Sequence, residues 1–139
     1  MEKRISLKKK AKVNIDYVAE AKGDDRFKEL FEDVPWLRMQ QEKHGDSTWF
    51  SFGCVLQGAL KGRRDEVIQA FEQGGIEARP LASGNFLNQP VVKMMPHYNH
   101  DNYEGAQDID ENGFWVGNHS TDCKEGLLKM FNILKGLAE

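Results

Sequence analysis

The sequence predicts an α+β fold in which a small, mostly antiparallel sheet is covered by helices. Apolar residues alternate over residues 48–56 and fill the short segment Gly113–Gly117, and both patterns are typical of strands. Helical spacing of apolar residues marks residues 65–73 and the C-terminal segment. A chain of 139 residues fits one domain with a real core.

The composition narrows the classes of partner. Hydrophobic residues make up 40% and charged residues 29% of the chain, as in ordinary globular proteins. The net charge of -3 argues against nucleic acid, and no apolar run approaches the roughly 20 residues that span a membrane. Cys54 and Cys123 are too few for a disulfide framework, and we expect no signal peptide before them. We therefore expect reduced thiols in a cytoplasmic protein, with Cys54 packed in the core rather than acting as a nucleophile.

The N-terminal part carries helical patterns but no strand pattern. Residues 8–21 have a rough helical spacing, and a second short helix precedes Pro35. Residues 36–46 are polar and irregular, which is typical of a surface connection. We therefore predict a helical lead-in arm over residues 1–47 and a small α+β domain over residues 48–139.

Residues 48–56 form the clearest predicted strand, because every second side chain is apolar. The face predicted to be buried carries Phe50, Phe52, Cys54 and Leu56. The helix over residues 65–73 has an apolar side and ends at Gly74 and Gly75, as helix C-termini often do. Residues 76–79 are predicted to return as a strand.

The second half is predicted as a long loop, a weak helix over residues 103–112, the strand Gly113–Gly117 and a C-terminal helix. Ser120, Thr121 or Asp122 can cap that last helix. The stripe predicted to be buried on it consists of Leu127, Met130, Phe131, Leu134 and Leu137.

A polar loop follows the strand that ends near Arg79. Up to Pro90, this loop adds one hydroxyl and three carboxamides to the guanidinium, on Ser83, Asn85, Asn88 and Gln89. A loop that only turns the chain needs no such set of hydrogen-bonding groups, whereas a loop that reads a polar ligand can use all of them. We therefore predict that this loop binds a ligand.

Three other clusters carry functional residue types without a specific pattern. His97, His100 and His119 are zinc-ligand types, but their spacing is more typical of a polar surface loop. The carboxylates of residues 108–111 are interpreted as solvated. Residues 117–120 leave two alternatives open, an anion site at a helix N-terminus or a capped turn. From the residues alone, we expect no metal and no assembled catalytic group.

Four segments, in order, resemble one family. They are residues 47–52 (Ser-Thr-Trp-Phe-Ser-Phe), 75–80 (Gly-Ile-Glu-Ala-Arg-Pro), 83–90 (Ser-Gly-Asn-Phe-Leu-Asn-Gln-Pro) and 113–119 (Gly-Phe-Trp-Val-Gly-Asn-His). Together they resemble the C-terminal domain of the DegT/StrS family of nucleotide-sugar aminotransferases, which depend on pyridoxal phosphate (PLP). The Ser-Gly-Asn form is most similar to the 3-dehydratase branch. The resemblance implies the fold of the C-terminal domain of fold-type I PLP enzymes.

The resemblance also implies which residues lie on the substrate side. They are Arg79, Ser83, Asn85, Asn88, Gln89 and His119. In the family the large N-terminal domain holds PLP, so we assign no catalytic or metal-binding residue and expect this chain alone to bind no cofactor. Arginine is common in the dehydratase branch at the position of Asn88. Because this chain departs from that pattern, we do not expect its substrate to be identical to that of the branch.

Two hypotheses of function follow from the resemblance. In the first, the chain is the substrate-side domain of a split or truncated nucleotide-sugar aminotransferase or 3-dehydratase of deoxysugar or lipopolysaccharide biosynthesis, and it works with a separate PLP-binding large domain. In the second, it is a free-standing, non-catalytic module that binds a sugar-nucleotide or regulates, alone or as a homo-oligomer, or it is an inactive remnant. The expected partner is a nucleotide-sugar, and neither hypothesis expects nucleic acid or a membrane.

Overall fold

The computed structural model describes residues 25–45, 47–95, 103–119 and 121–139. A four-stranded sheet in the order β1-β2-β4-β3 is formed by Leu37–Met39 (β1), Ser51–Leu56 (β2), Ala78–Pro80 (β3) and Gly113–Gly117 (β4). Each pair of neighbouring strands is antiparallel. The prediction of an α+β fold with an antiparallel sheet is therefore confirmed.

Four helices of the described chain pack around this sheet. They are α1, described over residues 25–31, α2 (Arg64–Gln73), α3 (Glu104–Asn112) and α4 (Lys124–Ala138). Helix α2 ends as predicted, because the N–H of Gly74 bonds back to the carbonyl of Ala70 and Gly75 adopts a φ of 73° that glycine tolerates. Short 3₁₀ helices lie at Gly58–Leu60, Phe86–Asn88 and Pro90–Met94.

One face of the sheet carries the hydrophobic core. Phe52 lies opposite Val116 in the ladder, and Cys54 lies opposite Phe114. Burial raises the pKa of the Cys54 thiol, so Cys54 is a packing residue and a poor nucleophile. The largest apolar side chains that are fully buried are Phe27, Phe31, Phe52, Phe71, Phe114, Leu56, Leu60, Met130 and Leu134. Apart from Leu60 of the 3₁₀ helix Gly58–Leu60, they come from the sheet and from α1, α2 and α4, so these three helices cover this face.

The described part of the predicted arm belongs to the core, which corrects the expected boundary at residue 47. Phe27 and Phe31 are completely buried, and the Phe27 ring stacks on Phe52 with 4.4 Å between the ring centroids. Residues 37–39, expected to be irregular, pair with β2. A strand of three residues is too short to show an alternating pattern, so the sequence could not reveal it. Residues 1–24 of the predicted arm lie outside the described residues.

Phe50 is a second correction, because its side chain is 73% exposed although it was predicted to be buried with Phe52. Strand β2 begins only at Ser51, and Trp49 has a φ of 51°, so the chain leaves strand geometry just before β2. Trp49 is buried in place of Phe50. The predicted burial of every second side chain over residues 48–56 therefore holds from Phe52 onward and fails before β2.

Helix α3 covers part of the opposite face of the sheet. Gly113 is the close-contact point, because a Cβ built on it would lie 2.3 Å from the carbonyl oxygen of Ile109. Buried Asn112 accepts a hydrogen bond from the N–H of Gly62 at 2.6 Å and donates one to Asp108 at 3.0 Å. Arg38 of β1 also donates to Asp108, at 3.2 Å. Polar contacts therefore attach α3 to β1 and to the turn at Gly62.

Candidate functional site

The six predicted site residues fall into two groups. Arg79 and His119 line a groove at one end of the sheet. The other four lie on the chain between β3 and α3, whose described part is residues 81–95 and is called the β3–α3 loop below: Ser83, Asn85, Asn88 and Gln89.

The groove has a volume of about 640 Å³ and lies between the β3–β4 edge of the sheet and the first turn of α4. Arg79 is directly opposite Trp115 in the ladder, and its guanidinium carbon is 5.8 Å from the centre of the Trp115 ring. On the other side of Trp115 the ladder partner is Gly53, beside which the Gln40 side chain lies. Trp115 is half-buried and lines the groove, so part of its ring forms an aromatic surface in this Arg79–Trp115 groove.

Carboxylates outnumber the basic side chains that line the Arg79–Trp115 groove. Glu77 accepts hydrogen bonds from Arg79 at 3.0 Å and 2.5 Å, which compensates the charge of the guanidinium. Asp122 pairs with Arg26, and Glu125 also lines the groove. Because Glu77 already compensates the charge of Arg79, the groove offers a phosphate group little free positive charge, whereas a sugar ring or a base would meet an aromatic face and hydrogen-bonding groups.

The turn that carries His119 into the groove is held by its own side chains. Asn118 donates to the carbonyl of Trp49 at 2.8 Å, and the N–H of His119 contacts the Cys123 sulfur at 3.4 Å. Asp122 accepts from the N–H of Lys124 at 3.0 Å, although the N-cap position of α4 is Cys123 and not one of the predicted capping residues. Within residues 117–119 and 121–124, these contacts favour a turn held by its own hydrogen bonds over an anion site.

The β3–α3 loop is tied to α3 through the two asparagines that the resemblance places on the substrate side. Asn85 is 7% exposed, and its side chain donates to Gln107 at 2.8 Å and accepts from the N–H of Leu87 at 3.1 Å. Asn88 donates to the same Gln107 oxygen at 3.1 Å and to Asp110 at 2.8 Å. Both amide groups are therefore engaged within the chain.

Ser83 and Gln89 lie on either side of Asn85 and Asn88 in the β3–α3 loop. Ser83 is exposed with a φ of 56°, and the next residue, Gly84, lies so close to α3 that a Cβ on it would be 2.6 Å from the Asp110 backbone. Gln89 ends the first 3₁₀ helix of the loop with an N–H bond to Phe86 at 3.0 Å. The loop therefore passes directly over α3.

Gln107 and Asp110 are site residues that sequence reasoning missed. The carboxylates of residues 108–111 were interpreted as solvated, but Asp108 and Asp110 both accept hydrogen bonds from other elements. Gln107 and Asp110 are three positions apart and therefore share one side of a helix, which is the signal that could have identified them. Their burial depends on the loop above them, which the sequence does not locate.

The described residues contain neither a candidate metal site nor a helix that could span a membrane. No group of three or more histidine, cysteine, aspartate or glutamate side chains there could hold a metal ion. His97 and His100, two of the three histidines considered as zinc ligands, lie outside the described residues. No helix in the described ranges is long and apolar enough to cross a bilayer. The described lining of the Arg79–Trp115 groove has no lysine that could form a Schiff base with PLP.

Two proteins of known activity are similar to this chain in sequence, while no family model matches it. A GDP-4-keto-6-deoxy-D-mannose 3-dehydratase of Yersinia pseudotuberculosis is 40% identical over 110 residues, which are 78% of this chain and 28% of that protein. A protein of the same name from Escherichia coli O55:H7 is 34% identical over 115 residues, 82% of this chain and 29% of that protein. The chain thus spans less than a third of the length of these relatives.

Solved structures show the same relationship. The Escherichia coli GDP-4-keto-6-deoxy-D-mannose-3-dehydratase with bound hydrated PLP matches 86% of this chain with a TM-score of 0.76 and 31% identity, over 31% of its own length. A variant of GDP-4-keto-6-deoxymannose-3-dehydratase with bound GDP-perosamine has the same TM-score, identity and coverage. A putative sugar aminotransferase from Streptococcus pneumoniae, with a TM-score of 0.71, 16% identity and 88% of this chain covered against 31% of its own, shares the fold. By sequence and fold, the chain belongs to the DegT/StrS family of PLP-dependent nucleotide-sugar enzymes, on the side of its 3-dehydratases, as a counterpart of the family's small C-terminal domain.

Proposed function

We propose that the chain provides the substrate side of a nucleotide-sugar 3-dehydratase or aminotransferase, while a separate PLP-binding domain provides the chemistry. The observation that carries this proposal is the Arg79–Trp115 groove, in a chain related to a 3-dehydratase whose structure contains bound GDP-perosamine. The role of the chain is recognition, and no catalytic residue is assigned to it.

The groove suits the uncharged part of a nucleotide-sugar. The face of Trp115 can stack against a sugar ring or a base, and Arg79 can donate to a hydroxyl or carbonyl while Glu77 keeps its plane fixed. His119 adds a second polar group at the end of β4. The carboxylates around these residues favour a geometry in which the diphosphate lies outside the groove.

Exposed apolar side chains support the requirement for a partner domain. Phe86, Val91 and Met95 are each about half exposed on the β3–α3 loop, and Met94 is 81% exposed. Apolar surface concentrated in one loop is often an interaction surface in soluble proteins. This concentration favours a chain that works with a PLP-binding large domain over the alternative of a free-standing module.

Isothermal titration tests the recognition role. GDP-mannose should bind the native chain, with GDP and free mannose as partial ligands, and Arg79→Ala should weaken binding by roughly tenfold or more. Lys129→Ala is the matched control, since Lys129 is an exposed cation that does not line the Arg79–Trp115 groove. Absence of any heat with GDP-mannose, or an Arg79→Ala variant that binds like the native chain, would contradict the proposal.

Light scattering tests whether the chain requires a partner domain. A chain that needs a PLP-binding partner should self-associate or aggregate when alone, because its apolar loop is uncovered. A stable monomer that binds GDP-mannose would instead support the free-standing binding module.

A further inference from the structure

Two side chains of α3 face the β3–α3 loop and accept hydrogen bonds from it. Gln107 accepts from the amide groups of Asn85 at 2.8 Å and Asn88 at 3.1 Å. Asp110 accepts from the same Asn88 amide at 2.8 Å and from the backbone N–H of Asn85 at 3.2 Å. Two residues of the helix therefore hold two residues of the loop through four hydrogen bonds.

Apolar packing alone gives this loop little support. Phe86 and Val91 are about half exposed and Met94 is 81% exposed, and within residues 86–95 only Val92 is a buried hydrophobic side chain. A loop with few buried apolar contacts opens easily unless hydrogen bonds hold it. The polar contacts with α3 therefore decide how firmly the loop is placed.

The acceptors on α3 are themselves oriented. Gln107 donates through its amide nitrogen to Glu111 at 2.7 Å, which leaves its oxygen facing the loop. Gly84 allows the loop backbone to approach Asp110, because any larger residue would place a Cβ within 2.6 Å of the helix. Side-chain orientation and backbone contact thus favour a single position of the loop.

We infer that Gln107 and Asp110 are positioning residues, which fix the β3–α3 loop through Asn85 and Asn88. The two asparagines are then used for placing the loop, and their amide groups are not ligand contacts. The importance of the loop for a nucleotide-sugar rests on the proposed function, whereas its attachment to α3 does not.

A reciprocal exchange of side chains tests this inference in the full chain. Asn88→Asp alone places two carboxylates together and should release the loop, raising hydrogen exchange of the Leu87 to Gln89 amides by about tenfold. Adding Asp110→Asn restores a donor and an acceptor at the same two positions, so the double variant should recover most of the protection. Lys93→Gln, at an exposed position of the same loop, is the control and should leave exchange unchanged.

Hydrogen exchange and ligand binding together distinguish a failure of the positioning role from a failure of the proposed function. Equal exchange in the native chain and in Asn88→Asp would overturn the positioning role, with or without a ligand. A double variant that recovers protection but not affinity for GDP-mannose would show that Asn88 contacts the ligand directly, which also overturns the inference. If the native chain binds no GDP-mannose while the exchange results hold, the proposed function fails and the positioning role stands.

Discussion

The two faces of the sheet are built by different kinds of contact. On one face, Phe52 and Phe114 are completely buried under three helices in an aromatic core. On the other face, α3 and the β3–α3 loop are held mainly by amides and carboxylates, such as the contacts of Asn112 and Asn85. Apolar packing is strong but has little directional preference, whereas hydrogen bonds fix orientation. The first face supplies stability, and the second fixes the orientation of α3 and the β3–α3 loop.

The largest effect should come from the apolar face. Phe52→Ala removes a completely buried ring and should lower the free energy of unfolding by about 3–5 kcal/mol, measured by urea denaturation. Phe50→Ala, two residues away but 73% exposed, should change it by no more than about 0.5 kcal/mol. Similar losses for both variants would mean that the two rings are equally buried, contrary to the structure.

An intermediate effect is expected where the polar face is most closely packed. Gly84→Ala places a methyl group 2.6 Å from the Asp110 backbone and should destabilise the protein by about 1–3 kcal/mol in the same assay. Gly105→Ala is the control, because a Cβ at that helical position meets no atom within 4 Å and should be neutral or slightly stabilising. A neutral Gly84→Ala would show that the loop does not press on α3.

The smallest effect concerns a carboxylate near the start of β2. Hydrogen bonds from the Ser47 backbone, and secondarily from Trp49, lower the pKa of Glu42 below its usual range. A lowered pKa in the folded state stabilises the fold above the unfolded pKa, and this contribution is lost as the pH falls through the folded pKa. The melting temperature of Glu42→Gln should therefore lie below that of the native chain at neutral pH, with a difference that shrinks on acidification.

Glu72→Gln controls for the loss of one exposed carboxylate in that comparison. A difference between Glu42→Gln and the native chain that stayed constant from neutral to acidic pH would contradict the role of the ionised Glu42 side chain.

The sequence predicted the apolar face better than the polar one, for physical reasons. Periodicity identifies buried stripes, and Leu127, Met130 and Leu134 of α4 are buried as expected, with Phe131 and Leu137 half-buried. Strand β1 has three residues, which is too few to show an alternating pattern. Phe50 is exposed because the backbone leaves strand geometry at Trp49, and the sequence pattern does not predict this change.

Hydrogen-bond partners depend on which distant segments meet, and sequence patterns do not give that information. Asn85 and Asn88 were correctly singled out as polar loop residues, but their partners Gln107 and Asp110 lie in a helix that appeared weak and solvated. Arg79 and His119 were likewise selected without Trp115, although Trp115 provides the aromatic surface between β3 and β4. A role of Arg79 and His119 in recognising a ligand stays a prediction.

Titration of the labelled chain with GDP-mannose, followed by two-dimensional NMR, tests the central claim most directly. Recognition in the Arg79–Trp115 groove predicts that the Trp115 indole N–H and the backbone amides of Gly117 and His119 shift with ligand concentration. The indole N–H signals of Trp36 and Trp49, which are buried on the apolar face, should not shift. Shifts confined to residues outside the groove, or no shifts at millimolar ligand, would contradict the account.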